Sequence, residues 1–106
     1  MTTRRAEDRA LNEALDETSR SVADHRASSR LELTIDDQTA FLAYERTPHS
    51  FVIVHTEVPP ALRGRHLGDV LVKAALDRAH ADHLRLVAVC PFARAYLRRH
   101  PDSSAS

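Results

Sequence analysis

The residues best suited to chemistry lie in two short stretches. The first, "EVPPALRGRHLGDVLVKAALDRA" at residues 57–79, runs from a proline stop through an arginine- and glycine-bearing turn into an apolar-striped helix. Both glycines of the chain, Gly64 and Gly68, fall inside it, beside Arg63 and Arg65. A turn that opens a helix presents N–H groups without helical partners at the positive end of the helix dipole. Glycine lets such a backbone curl around an anion or approach it closely. The chemistry expected is therefore phosphate binding by main-chain donors, aided by two mobile guanidinium groups. A solvated strand-to-helix turn with incidental arginines is the competing reading. The Walker-type loop is excluded because no Gly-Lys-Ser/Thr follows, and the three-glycine dinucleotide fingerprint is absent. What remains is a diphosphate-bearing ligand of another kind.

The second stretch centres on Cys90, the single cysteine, which follows the strand-like run "LRLVAV" and precedes Pro91. Proline suits the first position of a helix, so the thiol stands at a helix N-terminus, where its pKa falls and its nucleophilicity becomes available near neutral pH. The plainer alternative is a small buried residue at a strand end. His80 and His83 are spaced to share a metal, but no third ligand or carboxylate pattern completes the set, so no metal site is expected. Arg94, Arg98 and Arg99 give the last helix a basic face. A formal net charge of zero argues against extended tracking of nucleic acid.

The elements that must position these groups fit one small domain. The chain has 106 residues, 42% of them hydrophobic and 28% charged, the balance of an ordinary globular protein rather than a disordered one. One cysteine rules out an internal disulfide framework, and a cytoplasmic setting fits best. No apolar run approaches the roughly 20 residues that cross a bilayer, and the N-terminus lacks the apolar core of a secretory signal. Residues 1–21 read as a polar extension with a narrow helical stripe of Ala10, Leu11, Ala14 and Leu15. From Arg30, Leu31, Leu33 and Ile35 alternate with Glu32 and Thr34, the period of a half-buried strand. "TAFLAYER" and "SFVIVHTEV" continue it as two more strands, giving an antiparallel meander, with a short strand before it around Val22.

After Pro59 and Pro60 the period becomes helical, with Leu67, Val70, Leu71, Ala74, Ala75 and Ala79 on one face and Asp69, Lys73, Asp77 and His80 on the other. "LRLVAV" reads as a central strand reached by a parallel crossover, and "PFARAYLRR" as a final helix that stops before Pro101. Phe92 and Tyr96 are expected to pack in the core. The fold class is α/β with a mixed sheet, in the order β-β-β-α-β-α. Residues 103–106 form a tail.

"HTEVPPALRGRHLGDVLVKAAL" followed by "VCPFARAYLRRHP" resembles the small single-domain group within the GCN5-related N-acetyltransferases, short proteins that bind acetyl-coenzyme A. The resemblance covers about residues 22–102, and the two motifs at this separation are specific together and weak singly. It implies that a Gln/Arg-x-x-Gly-x-Gly/Ala segment, here Arg63, Gly64, Arg65, His66, Leu67 and Gly68, wraps the coenzyme pyrophosphate. His66 departs from the pattern, since glycine is usual there. A positive φ at that position would strain a histidine by an amount of order 1 kcal/mol.

The resemblance further implies that the strands ending "VHTEV" and "LRLVAV" are parallel neighbours that splay apart. Main-chain groups near Thr56, Glu57 and Val58 would then hold the pantetheine arm and polarise the acetyl carbonyl. For an amine attacking the thioester, Glu57 or His55 is the expected base; they flank Thr56 and share a face. Cys90 offers an acetyl-cysteine route in the same group. Tyr96 stands near the tyrosine that protonates the leaving thiolate in many relatives, about one residue early, which turns a helical side chain by about 100°. The expected activity is acetyl transfer to an amine, whether a protein lysine, a peptide or a small amine. The rivals are a non-catalytic acyl-coenzyme A-binding or protein-interaction module and, more distantly, a nucleic-acid-associated protein. No membrane partner is expected, and the oligomeric state is open.

Overall fold

The two-residue period that starts at Leu31 builds the first long strand of a five-stranded sheet. In the computed structural model, which describes residues 21–100, the strands are β1 (Ala23–His25), β2 (Arg30–Ile35), β3 (Gln38–Arg46), β4 (Ser50–Glu57) and β5 (Arg85–Ala88). The helices are α1 (Leu67–Ala81) and α2 (Pro91–Arg99). Apart from Ser21, the extension expected at residues 1–21 lies outside the described residues, as does the tail at 103–106.

The sheet order is β1-β2-β3-β4-β5, antiparallel through β4 and parallel between β4 and β5. This is the mixed α/β sheet read from the sequence, with β1 as the short strand expected near Val22. Asp36 and Asp37 close the β2–β3 hairpin with φ of 51° and 64°, the paired left-handed residues of a turn that matches strand twist. Short polar side chains tolerate that conformation better than most.

The predicted stripe of α1 is buried throughout, and Val72 and Leu76 are buried as well, so the covered surface is wider than the stripe. It packs on β2, β3 and β4, whose Leu31, Leu33, Ala40, Leu42, Phe51 and Ile53 are each no more than 1% exposed. The helix ends where the Leu84 N–H donates to the Ala79 carbonyl at 2.7 Å, with His83 in a left-handed conformation, the geometry of a glycine-type stop. On the same face of the sheet, toward its β1 edge, the Tyr44 hydroxyl donates to Asp24 Oδ1 at 2.6 Å and ties β1 to β3. Burial, reinforced by that bond to a carboxylate, pushes the Tyr44 phenol up to about 12.

Two irregularities in β4 position the site. The β3–β4 register passes from Ala43↔His55 to Tyr44↔Ile53, so Val54 is an extra residue, a β-bulge. Strand side chains alternate, so one inserted residue inverts the alternation. Phe51 and Ile53 face the helices before the bulge. Beyond it, Thr56 takes that face opposite buried Leu42, while His55 and Glu57 join Ala43 and Phe41 on the far face. The second irregularity is where the parallel pairing stops. The β4–β5 ladder ends at Ile53↔Ala88, and the Ile53 carbonyl accepts from the Val89 and Cys90 N–H groups at 2.9 and 3.2 Å. β4 runs on to Glu57 without β5 beside it. The two parallel strands are therefore splayed.

Candidate active site

A cavity of about 600 Å³ opens between the end of β4 and the start of α1. Its wall comes from residues 55–58, 62–64 and 66–69, closed by Phe92 and Arg99 of α2. Of the residues expected to hold a coenzyme, Thr56, Val58, Arg63, Gly64, His66, Leu67 and Gly68 all line it. Arg65 does not: its guanidinium turns toward Asp36 at 3.9 Å. Of the four catalytic candidates, His55 and Glu57 reach the wall, and Cys90 and Tyr96 are not part of it.

The turn is held by a 3-10 segment, Pro60–Leu62, pinned by Leu62 in the core. Beyond it, Gly64 has φ of 85°, and a Cβ there would meet nothing within 4 Å, so the glycine serves backbone conformation and leaves the space open. His66 has φ of 61° and ψ of 24°. The position where the related motif carries glycine does adopt a positive φ, and histidine holds it at a cost of about 1 kcal/mol. The first helical bond of α1 runs from the Val70 N–H to the His66 carbonyl at 3.1 Å, and no side chain caps the helix. The N–H groups of residues 67–69 therefore head the helix beside the cavity.

Gly68 has a second use. An added Cβ would lie 2.5 Å from Phe92 Cζ, so the missing side chain is what lets the ring rest on the first turn of α1. Phe92 is accordingly 40% exposed and forms wall rather than core, unlike the expectation, whereas Tyr96 is buried as expected. The position of Phe92 could not be read from α2 alone, because it is set by a glycine on another helix.

Charge around the mouth is mixed. Asp69, in the first turn of α1, suits the helix dipole but opposes an incoming anion. Arg99 Nη2 lies 3.2 Å from Asp69 Oδ1, which offsets that carboxylate locally, and His66 Nδ1 lies 3.8 Å from Oδ2. Arg63 Nε donates to the Val58 carbonyl at 3.4 Å. Arg99 was legible only as part of a basic face; its role at the cavity needs the approach of α2 to α1.

Cys90 caps α2 and is 4% exposed, its sulfur 3.7 Å from Thr56 Oγ1. Burial pushes the thiol up. Hydrogen bonds from the Ala93 N–H, the Thr56 hydroxyl and the Phe92 and Thr56 N–H groups outweigh burial, leaving the thiol below its ordinary range. Thr56 lines the cavity and Cys90 sits behind it. His55, 5.9 Å from the Phe41 ring, belongs to the opposite face with Glu57. Tyr96 stacks near His100 at 4.4 Å, and burial, then the charge of Asp69, raises its phenol.

His80 and His83 are exposed at the far end of α1, and among the described residues no three His, Cys, Asp or Glu side chains gather as a metal site. Among those residues no helix is long and apolar enough to cross a membrane.

A family model described as GCN5-related N-acetyl-transferase matches residues 30–105, which takes in the whole sheet from β2 onward, the cavity and both helices. Among curated proteins, Protein NATD1 of Gallus gallus and Protein NATD1 of Mus musculus are each 38% identical over 63 residues, 58% of this chain and 57% of theirs. Protein NATD1 of Xenopus tropicalis is 36% identical over 63 residues, with 58% of each chain covered. The match therefore spans a little over half the length of these curated relatives. With the family model covering most of the chain and the splayed β4–β5 pair beside an uncapped helix, the chain belongs to the GCN5-related N-acetyltransferase family.

Proposed function

We propose that the chain binds acetyl-coenzyme A and transfers its acetyl group to an amine. The observation that carries this reading is the alignment of two features on one cavity: main chain at residues 55–57 that pairs with β3 but has no β5 neighbour, and the uncapped N-terminus of α1. The residues fit a pyrophosphate there. Gly64 leaves room, the N–H groups of residues 67–69 supply donors, and Arg63 and Arg99 border the mouth. Main chain of Thr56, Glu57 and Val58 would take the pantetheine arm. In the transfer, the amine nitrogen bonds to the thioester carbonyl carbon, main-chain N–H donors stabilise the oxyanion, and the carbon–sulfur bond breaks to release the thiolate. A base accepts the proton that the attacking nitrogen loses.

Glu57 and His55 are the bases favoured for direct attack, because both residues line the cavity where β4 runs on past β5, with their side chains on the sheet face away from the helices. The acetyl-Cys90 route is the second reading, supported by a thiol held below its ordinary range beside Thr56. Its burial behind Thr56 weighs against it. Intact mass after mixing with acetyl-coenzyme A separates them: a gain of about 42 Da, lost in Cys90→Ala, means the covalent route. Turnover without the adduct, reduced in Glu57→Gln or His55→Gln, means direct attack. If millimolar coenzyme A fails to raise the melting temperature of the protein, both routes fall, together with the alternative of a non-catalytic acyl-coenzyme A-binding module.

A further inference from the structure

The last strand of the sheet has one uncovered edge. β5 pairs with β4 on one side, and among the described residues nothing pairs with it on the other. The Arg85 N–H donates to the His49 carbonyl and the Val89 N–H to the Ile53 carbonyl, both at 2.9 Å, so these donors point at β4. A trans peptide directs its N–H and C=O to opposite sides, and successive residues of a ladder alternate. The carbonyls of Leu84, Leu86 and Ala88 and the N–H groups of Leu86 and Ala88 therefore point away from β4. One of these is already engaged: the Ala88 carbonyl accepts from Arg94 Nε at 3.1 Å. The Leu84 N–H is spent as well, on the Ala79 carbonyl at 2.7 Å. Left open are the N–H groups of Leu86 and Ala88 and the carbonyls of Leu84 and Leu86. The edge is apolar on both faces. Val87 and Val89 are exposed on the side away from the helices, and Leu84, Leu86 and Ala88 are half-buried against the core. Arg85 is the one charged residue of β5. Edges are ordinarily blunted by charge, proline or a covering segment, and one that is not invites another strand.

We propose that this edge joins two copies of the chain, with β5 antiparallel to β5 of the second copy about a two-fold axis at Leu86. It holds whatever the cavity binds. In a hydrogen-bonded antiparallel pair, opposite residues exchange both bonds, so the Leu86 N–H of each copy donates to the Leu86 carbonyl of the other. The next such pair sets Ala88 opposite Leu84 of the second copy. There the Ala88 N–H meets an open Leu84 carbonyl. The reverse bond is not needed, because the Ala88 carbonyl and the Leu84 N–H are both already satisfied. A strand of unrelated sequence in that register would set its own N–H against the engaged Ala88 carbonyl, and an unpaired main-chain donor is costly. The match is therefore to this chain itself. Charge agrees with it: Arg85 falls opposite Val87 of the second copy rather than opposite another arginine, and its aliphatic stem can cover that valine. On the helix side Leu86 meets Leu86, and Ala88 meets Leu84. The surface is isologous, so pairing closes at two copies and makes the two five-stranded sheets continuous.

The test is sedimentation of the full chain over a range of concentrations, together with amide hydrogen exchange. The expected result is a reversible dimer in which the Leu86 and Ala88 amides exchange more slowly as concentration rises. Val87→Lys sets a second cation opposite Arg85, twice per dimer, and should raise the dissociation constant about tenfold. Val87→Glu sets a carboxylate there and should leave the constant unchanged or lower it. A monomer at every concentration overturns the proposal. So does a dimer weakened alike by both substitutions, which means that the valine faces stack on each other, and so does a dimer indifferent to both, which means that another surface joins the copies. A monomer whose Leu86 and Ala88 amides are protected at every concentration has the edge occupied by another part of its own chain, residues 1–20 included, and overturns it as well. The exchange measurement needs no substitution, so it decides the question even where a variant fails to fold.

Discussion

The chain turns from strand to helix twice. Between β4 and α1 it takes residues 58–66, with a 3-10 segment and two left-handed residues, Gly64 and His66, and delivers a helix end with no side-chain cap. Between β5 and α2 it takes only residues 89 and 90, keeps Cys90 in extended backbone, and buries it. Both corners present main-chain N–H groups at a positive helix end. At the first they face a cavity of about 600 Å³. At the second, those of Phe92 and Ala93 are directed at a sulfur atom and hold its thiol below the ordinary range. The same electrostatic element is thus left open to a cavity in one corner and directed at an internal thiol in the other. Access decides which, and access is set by the length and backbone conformation of the turn.

The contrast breaks most sharply if the open corner is filled. Gly68→Ala forces the Phe92 ring aside, and because the ring tip is the exposed end of a side chain the fold should survive. Coenzyme A affinity should fall at least tenfold, about 1.4 kcal/mol, measured by calorimetry. Next comes Gly64→Ala, where the new methyl touches nothing but must sit at φ of 85°. Stability should drop by about 1 kcal/mol, read as a fall in melting temperature of about 4–8 °C.

His66→Gly runs the other way. It relieves the left-handed histidine and should raise stability by up to about 1 kcal/mol, since the exposed contact to Asp69 at 3.8 Å that it removes is weak. Chemical denaturation checks the sign.

The smallest effect belongs to the buried corner. Folding holds the Cys90 thiol below its ordinary value of 9.0, so the native state releases the proton before the unfolded state does. Relative to Cys90→Ala, stability should therefore rise as pH climbs through the folded value toward 9.0, and be lost as pH falls back through it. Thr56→Val removes one of the stabilising donors and should narrow that window, as seen by denaturation across pH.

Much of this was legible in the sequence. Alternation at Leu31, Leu33 and Ile35 and the helical recurrence from Leu67 to Ala79 fixed which faces are buried, because burial and periodicity are the same fact seen twice. Pro91 marked the start of α2. The glycine pattern located the cavity, and the departure at His66 pointed to strained backbone. The bulge at Val54 was hidden, because no glycine or proline signals it and its only trace is a broken alternation among apolar residues. The Phe92–Gly68 and Arg99–Asp69 contacts were hidden for a different reason. Each joins α1 to α2, and the docking angle of two helices is a property of the packed core rather than of either segment.

The bulge makes the cavity wall depend on strand length. Val54 puts β4 out of phase with itself, so that odd positions before it and even positions after it face the helices. Deleting that one residue would restore a single phase and exchange the face of Thr56 with that of His55 and Glu57. The wall therefore owes its side-chain pattern to an added residue rather than to the identity of any one side chain.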